Sequence, residues 1–286
     1  MMRTVLLSDG QAVLPALGLG TWRLGESAPQ RAAEVTALRE AIALGYRLFD
    51  TAEMYGEGGA EAVLGEALRG AMAAGEVTRN ELFIVSKVYP HNAGRRGAVA
   101  ACERSLRRLG LDAIDLYLLH WRGEHPLTET LQAFEALQAA GRIRAWGVSN
   151  FDVADLEELA ALPGGERCAT NQVWYSAARR GVEFDLLPWM RARGMALMAY
   201  SPIDQAALAR HPGLAAVARR LGVTAAQVAL AWVLRGEGVV AIPKSTAPAH
   251  LRANLDAAAL ALDAQALAEI DRAFAPPRRK TTLAMN

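Results

Sequence analysis

The chain has 286 residues, 52% apolar and 21% charged, an ordinary globular composition with room for one large domain or two small ones. Its formal net charge of +1 gives no strong attraction to nucleic acid or to an anionic membrane, so neither is expected as a partner. Two cysteines, Cys102 and Cys168, argue against a disulfide framework and are typical of a reducing compartment.

The N-terminal segment is expected to form a small capping hairpin. Its apolar run is much too short for a signal peptide, and no stretch of the chain approaches the roughly 20 apolar residues of a membrane span. Residues Val5–Leu14 surround Ser8-Asp9-Gly10, and an Asp-Gly pair is a strong hairpin-turn signal. We expect a soluble, cytoplasmic protein whose hairpin covers the floor of the main fold.

Short apolar runs bounded by Gly, Pro or polar residues recur down the chain, and their length favours buried parallel strands over helices. The predicted strands are Ala16–Leu19, Arg47–Asp50, Leu82–Lys87, Ile114–His120, Ala145–Ser149, Thr170–Val173, Ala196–Tyr200 and Val239–Pro243.

Helical spacing of apolar residues fills the segments between these runs. Gly45 and Gly141 are placed to end two of the helices, and Asp152 is a good N-cap for another. Thr224 and Gln227 have the spacing of a capping box. The last predicted helices cover Pro248–Ala258 and Asp263–Phe274.

Strand and helix alternate eight times over about 250 residues, and this number of units in this length is typical of a (β/α)8 barrel. A doubly wound open sheet is the main rival. Because no Ser/Gly/Pro-rich linker interrupts the pattern, the prediction is an α/β protein with one domain over residues 1–286. It has the N-terminal hairpin cap and additional C-terminal helices.

Polar side chains follow the predicted strands where each one stops. Asp50, Lys87 and His120 end three consecutive strands, and Tyr55 follows Asp50 in the next loop. Each alone has an ordinary interpretation as a cap, a solvated lysine or a core histidine. Barrel enzymes carry their catalytic groups at the C-terminal ends of strands, so together these four residues predict one catalytic patch.

This set of groups can protonate a carbonyl oxygen. A tyrosine has a reference pKa near 10, and a nearby ammonium such as Lys87 is expected to lower the pKa of Tyr55. Asp50 is the natural partner to hold Lys87, while His120 can orient the substrate oxygen or relay a proton at lower pH. None of these groups is a reductant, so a cofactor must supply hydride; no metal is expected.

A nicotinamide cofactor would have to bind without a Gly-x-Gly-x-x-Gly fingerprint, because Gly18-Leu19-Gly20 is only a weak fragment of one. Barrel phosphate sites commonly follow strands seven and eight. Lys244, Ser245 and Thr246 lie there, just before a helix whose N-terminus favours an anion.

Seven motifs follow one another along the chain: Asp50-Thr51-Ala52-x-x-Tyr55-Gly56, Ser86-Lys87, Leu119-His120, Gly147-Val148-Ser149-Asn150, Asn171-Gln172, Ala199-Tyr200-Ser201-Pro202 and Ile242-Pro243-Lys244-Ser245. With them the chain resembles the aldo-keto reductases from about Leu17 to Asn254. Asp50–Tyr55, Leu118–Trp121 and the tail Lys280-Thr281-Thr282-Leu283 resemble, more closely, the small bacterial members of the methylglyoxal reductase kind. The resemblance implies a barrel that reduces aldehydes and ketones with NADPH, with NADH possible but weaker.

The resemblance also implies a role for each matching residue. Tyr55 is the general acid, Asp50 and Lys87 tune it, and His120 places the carbonyl. The expected cofactor contacts are Gly20, Thr21 and Trp22; Ser149, Asn150 and Gln172 on the nicotinamide carboxamide; Tyr200 on its ring, with Ser201 and Pro202 following; Lys244, Ser245 and Thr246 on the 2′-phosphate and ribose; His250; and Asn254 on the adenine.

Two positions depart from the family pattern. His250 stands where an Arg often faces the 2′-phosphate, and Ala253 stands where an acidic residue often contacts adenine. A neutral histidine offers less to a phosphate than the bidentate fork of Arg does, so His250 gives less support to a preference for NADPH than an Arg would.

Trp22 and Trp121 are expected to line the substrate mouth, with core packing as the alternative for each. Short connections after the second, fourth and seventh predicted strands leave little chain for a deep pocket, which favours small aldehydes and 2-oxoaldehydes. Two alternatives stay open: a Schiff-base barrel lyase that uses Lys87 or Lys244, and a cofactor-binding regulatory subunit with slow turnover. Family members of this kind are often monomers.

Overall fold

Eight parallel strands form the centre of the molecule, as seen in a computed structural model that describes residues 3–8, 10 and 12–285. They pair in chain order and in parallel, and nearly all of their residues are buried, as in a sheet covered on both faces. The strands are β3 (Leu19–Gly20), β4 (Leu48–Asp50), β5 (Phe83–Val88), β6 (Ile114–Leu119), β7 (Ile143–Ser149), β8 (Thr170–Trp174), β9 (Ala196–Tyr200) and β10 (Val239–Ala241).

The first and last of these strands meet and close the sheet into a barrel. Parallel bridges join Leu17 to Ala241 and Gly20 to Lys244. The amide of Gly18 donates to the carbonyl of Ala241 at 2.9 Å, and the amide of Gly20 donates to the carbonyl of Pro243 at 3.0 Å. The predicted (β/α)8 barrel is therefore confirmed, and the open doubly wound sheet is wrong.

At least one helix follows each barrel strand. The helices are α1 (Arg31–Ala43), α2 (Gly59–Ala73), α3 (Arg95–Leu109), α4 (Leu127–Ala139), α5 (Val153–Ala160), α6 (Leu186–Arg191), α7 (Pro212–Leu221), α8 (Ala225–Leu234), α9 (Pro248–Ala258) and α10 (Ala264–Ala273). Asp152 caps α5 and Thr224 caps α8 through a capping box with Gln227, both as predicted. No single helix in the described part of the chain is long and apolar enough to cross a membrane, and α7 with α8 meets that test only as a pair bent by 90°.

An antiparallel hairpin of β1 (Thr4–Leu6) and β2 (Val13–Pro15) precedes the barrel. Its turn was predicted at Ser8-Asp9-Gly10, and Asp9 lies outside the described residues. The Arg3 guanidinium donates to the carbonyls of Gly236 and Val239, at the start of β10, and the Ser8 hydroxyl donates to the carbonyl of Cys168, just before β8. These contacts place the hairpin at the N-terminal end of the strands, opposite the predicted site.

Most strand boundaries lie within two residues of the predicted ones, and the differences arise because pairing partners rather than sequence pattern end each strand. Two differences matter for the site. Strand β5 continues to Val88, which carries Tyr89 toward the barrel mouth. The connection after β9 runs from 201 to 211 with two short 3-10 turns, so the prediction that it is short is wrong.

Gly18, which directly precedes β3, packs closely against Leu48 of β4, and this contact predicts a stability effect. A Cβ there would lie 2.5 Å from Cγ of Leu48, a fully buried side chain with no room to withdraw. We expect Gly18→Ala to lower the free energy of unfolding by about 1–3 kcal/mol, measured by urea denaturation. The control is Gly70→Ala inside α2, where the nearest atom is 3.6 Å away, and we expect it to be neutral or to stabilise by about 0.5–1 kcal/mol. Equal effects of the two substitutions on the free energy of unfolding would contradict close packing of Gly18 against Leu48.

Candidate functional site

The barrel brings the four predicted catalytic residues to one end of three adjacent strands. Asp50 ends β4, Lys87 lies on β5, and His120 directly follows β6. The parallel register sets Asp50 beside Val85 and Lys87 beside Leu118. Tyr55 begins a tight turn over Tyr55–Gly58, in which Gly56 and Gly58 have φ values of 56° and 90° that favour glycine.

The Lys87 ammonium is fully buried and has a partner for each of its three N–H groups. It donates to Asp50 Oδ1 at 2.6 Å, to the Thr51 carbonyl at 2.9 Å and to the Tyr55 hydroxyl oxygen at 3.3 Å. Burial opposes its charge, but Asp50 and Tyr55 raise the pKa of Lys87 above its usual value. Lys87 is thus held as a cation, which makes it a poor Schiff-base nucleophile.

The pKa of Tyr55 differs in sign from the sequence expectation. Burial raises the pKa of Tyr55 above its usual value, and Asp50 adds to the rise, while the charge and hydrogen bond of Lys87 only partly offset it. The expectation of a lowered pKa is therefore wrong for the protein alone. Because Lys87 donates to the phenol oxygen, the phenol proton stays free to be given to another group.

His120 is neutral at physiological pH. Desolvation by burial, followed by the charge of Lys87, holds the pKa of His120 well below its usual value. Its Nδ1 is buried and has no hydrogen-bond partner among the described residues, and its ring packs edge-on to Tyr55 with centroids 5.7 Å apart. A proton relay through His120 would need an acidic medium, whereas orientation of a substrate oxygen by a neutral imidazole does not.

A second polar group lies at the ends of β7 and β8. Ser149 and Gln172 are register partners on these strands, and the Ser149 hydroxyl donates to the Gln172 carbonyl at 2.9 Å. Asn150 has a positive φ of 60° and donates to the carbonyl of His120 at 3.2 Å. Its Oδ1 accepts from the Tyr200 hydroxyl at 2.9 Å. Three of the predicted carboxamide contacts and the predicted stacking residue therefore lie together.

Four further predicted cofactor residues lie at or just after the ends of strands β9 and β3. Ser201 directly follows β9 with a positive φ of 47°, and Pro202 after it is buried. Gly20 bridges to Lys244 across the barrel seam. Thr21 is fully buried and donates its hydroxyl to the Asp50 carbonyl at 3.0 Å, so it supports the end of β4.

The residues predicted to bind phosphate lie between β10 and α9. Lys244 is exposed, Ser245 and Thr246 are partly exposed, and the Ser245 hydroxyl accepts from the Ala247 amide at the start of α9. A cation, two hydroxyls and a helix N-terminus suit an anionic group. His250 is exposed on the first turn of α9, whereas Asn254 is buried and hydrogen-bonds the Tyr46 hydroxyl, which also donates to the Leu251 carbonyl.

Aromatic rings surround His120. The ring centroid of Trp121 lies 4.9 Å from that of His120, and Tyr89 packs edge-on to Trp121 at 5.5 Å. Trp22 is half-buried beneath the guanidinium of Arg23, which lies 4.4 Å from its ring centroid. Neither tryptophan is in the core. Tyr89 was missed by the sequence analysis, although its position two residues after Lys87 was a usable signal.

A buried glutamate joins the loops after β4 and β5. Glu53 accepts from the Tyr89 amide at 2.8 Å, from Asn92 Nδ2 at 3.0 Å and from Arg104 at 3.2 Å. It thereby fixes the loop that carries Tyr89 against His120 and Trp121. Glu53 lies within the Asp50–Gly56 motif, but nothing in the sequence showed which groups it would bind.

The C-terminal tail is anchored over the loops that follow β7 and β8. Lys280 forms ion pairs with Asp152 at 3.1 Å and with Asp185 at 2.9 Å. Together with Trp174 and Arg179, residues 281–284 line a cavity of about 290 Å³. The tail therefore forms one wall beside the barrel mouth. No cluster that could hold a metal ion occurs among residues 3–8, 10 and 12–285.

Comparison with known proteins agrees with this geometry. Residues 16–275 match the model of the Aldo/keto reductase family. The chain is 49% identical, over all of both chains, to methylglyoxal reductase YeaE of Escherichia coli K12. It is 33% identical to methylglyoxal reductase DkgB of Escherichia coli O157:H7, covering 90% of this chain and 93% of that one. The crystal structure of an aldo/keto reductase from Klebsiella pneumoniae in complex with NADP and acetate superposes with a TM-score of 0.94 at 48% identity, with full coverage of both chains.

The low pKa of His120 predicts a pH-dependent stability. Below the usual pKa of 6.5, His120 is protonated in the unfolded chain but stays neutral in the folded protein. The free energy of unfolding therefore falls as pH falls. The contribution approaches about 1.4 kcal/mol per pH unit. We expect the free energy of unfolding to fall more steeply between pH 7 and pH 5 (roughly the histidine titration range) in the wild type than in His120→Gln. Parallel slopes for the two proteins would contradict a buried neutral imidazole.

Proposed function

We propose, on the premise that this chain belongs to the aldo/keto reductase family, that it reduces small aldehydes and 2-oxoaldehydes such as methylglyoxal with NADPH. Membership makes the chain an oxidoreductase and excludes the Schiff-base lyase. The observation that carries the proposal is the saturated Lys87 ammonium, which leaves the Tyr55 proton as the one available to a substrate oxygen.

On the proton-donating side, Tyr55 is the general acid. As negative charge develops on the carbonyl oxygen, the Tyr55 proton moves to it, and the resulting phenolate is stabilised by the hydrogen bond and charge of Lys87. Asp50 keeps Lys87 charged and in place. His120, neutral and close to Tyr55, orients the carbonyl oxygen toward the phenol.

The residues of β7–β10 have the donors and acceptors that a nicotinamide dinucleotide phosphate requires. When bound, the reduced nicotinamide would supply hydride to the carbonyl carbon. Ser149, Asn150 and Gln172 would hold its carboxamide, and Tyr200 would pack on the ring. Lys244 and the start of α9 would take the phosphate groups. The full-length similarity to an NADP-bound relative supports this cofactor.

The substrate is proposed to be small and uncharged. Trp121 and Tyr89 give apolar walls beside His120, and Lys280 holds the tail close beside the mouth. Apolar walls with few polar groups favour compact carbonyl compounds. The similarity to two methylglyoxal reductases supports a 2-oxoaldehyde in particular.

We further propose that residues 1–286 act as one domain and as a cytoplasmic monomer. Two free, buried cysteines support a reducing compartment, and a single closed barrel supports one domain. Steady-state oxidation of NADPH across a panel of small aldehydes, with NADH run beside it, tests the function. Binding of NADPH with only residual turnover on every aldehyde would favour the regulatory subunit.

Removal of the phenol proton should stop reduction without disturbing the cofactor. We expect Tyr55→Phe to lower kcat/KM for aldehydes by about 10²–10⁴-fold, because the general acid is lost. The affinity for NADPH, measured by quenching of protein fluorescence, should stay nearly unchanged. Tyr117→Phe is the matched control, because Tyr117 packs on Phe134 away from the site, and it should keep its activity. A Tyr55→Phe protein with most of its activity would make the acid assignment wrong.

Lys244 should decide the preference between the two nicotinamide cofactors. We expect Lys244→Met to weaken NADPH binding about 10–100-fold, through loss of a charge-assisted contact, and to leave NADH binding nearly unchanged. Dissociation constants for both cofactors in the variant and the wild type give the comparison. Arg252→Met, which removes an exposed cation from the middle of α9, is the control and should change little. Equal losses for both cofactors would show that Lys244 does not read the 2′-phosphate.

A further inference from the structure

Gln172 reaches across the barrel mouth to a catalytic residue. It lies on β8 and its side chain is buried. Its Nε2 donates to Asp50 Oδ2 at 2.7 Å, although β8 and β4 are separated by three strands in the sheet order. A carboxylate paired with Lys87 can only accept hydrogen bonds, so this contact fixes the orientation of the Gln172 amide.

The bond from Gln172 completes the surroundings of Asp50. One carboxylate oxygen accepts from Lys87 and the other accepts from Gln172. The hydrogen bonds that one buried carboxylate accepts compete for its negative charge, so a stronger bond to one oxygen weakens the bond to the other. A stronger bond from Gln172 therefore weakens the hold of Asp50 on Lys87, and Lys87 is then better able to stabilise a phenolate at Tyr55.

The other end of the Gln172 amide is its Oε1. Hydrogen bonds among the described residues use only the nitrogen of this amide, so the oxygen still has its acceptor capacity. Gln172 pairs in register with Ser149, and the Asn150 amide donates to its carbonyl. Ser149, Asn150 and Gln172, which are proposed to hold the carboxamide, thus lie together. Among them, Oε1 of Gln172 is an acceptor for an amide N–H.

We propose that Gln172 is a positioning residue that transmits occupation of the carboxamide site to the Asp50–Lys87–Tyr55 chain. This rests on the proposed function, since it takes the carboxamide of a nicotinamide as the ligand. An amide that accepts a hydrogen bond at its oxygen becomes a stronger donor at its nitrogen. Binding at Oε1 therefore strengthens the bond to Asp50 and prepares Tyr55 to release its proton only when the cofactor is in place.

Fluorine NMR of fluorotyrosine-labelled protein tests this without turnover. The Tyr55 resonance is assigned by its loss in Tyr55→Phe, and fluorination brings the phenol titrations to lower pH. The midpoint for Tyr55 is measured in the free protein, with NADP⁺, and with the acetylpyridine analogue, which has the same ring charge but no amide N–H. In the wild type we expect NADP⁺ to lower the midpoint by about half a pH unit more than the analogue does.

The variant Gln172→Met keeps the length and apolar bulk of the side chain but cannot bridge. We expect its free protein to titrate Tyr55 at a higher pH than the wild type, and we expect NADP⁺ and the analogue to shift it equally. Gln172→Glu should lose the same difference. The control is Gln138→Met on α4, where Nε2 donates to the Arg144 carbonyl at the surface, and it should behave as the wild type.

A difference between NADP⁺ and the analogue that persists in Gln172→Met would overturn the proposal, and so would its absence in the wild type. If Gln172→Met loses cofactor binding while the Tyr55 midpoint of the free protein stays unchanged, Gln172 is only a cofactor contact, and this outcome would also overturn the proposal. A wild type that binds NADP⁺ and shows the difference but reduces no aldehyde would contradict the proposed function and leave the role of Gln172 supported.

Discussion

The site depends on one buried charge, the Lys87 ammonium, which is fully shielded from solvent. Moving an ammonium out of water costs several kcal/mol, which only close partners recover. Asp50, the Thr51 carbonyl and the Tyr55 hydroxyl supply them. The turn after β4 is therefore constrained twice, because its backbone must present a carbonyl and its side chain a phenol to the same nitrogen. The contacts that stabilise the charged Lys87 therefore also position the Tyr55 phenol.

The barrel makes these contacts available because its strands are parallel and in register. Neighbouring C-terminal ends meet at one mouth, so Asp50 and Lys87 on β4 and β5 face each other, and Ser149 and Gln172 do so on β7 and β8. The two groups occupy opposite arcs of the mouth. The bond from Gln172 to Asp50 crosses between them, and the bond from Asn150 to the His120 carbonyl joins them along the wall.

The sequence was sufficient to predict the barrel and the convergence of Asp50, Tyr55, Lys87 and His120, because both follow from one rule: polar residues at the ends of short buried strands converge. It was insufficient wherever the outcome is a balance of forces. The sign of the Tyr55 pKa depends on whether burial outweighs Lys87, and the partner of Gln172 depends on a distance across the barrel. Tyr89 and Glu53 were missed because loop conformation, rather than residue spacing, brings them to His120 and to Asn92.

The protonation states of the resting site bear on its choice of substrate. The charges of Lys87 and Asp50 cancel, the phenol of Tyr55 keeps its proton because its pKa is raised, and His120 is neutral because its pKa is lowered. These four residues together therefore have no net charge, and aromatic rings lie beside them. Such a place desolvates a neutral carbonyl at little cost and stabilises charge only as it develops on the oxygen, which is the condition for lowering a barrier rather than tightening substrate binding. An aldehyde meets that condition better than a carboxylate, whose full charge would have to be desolvated before any reaction began.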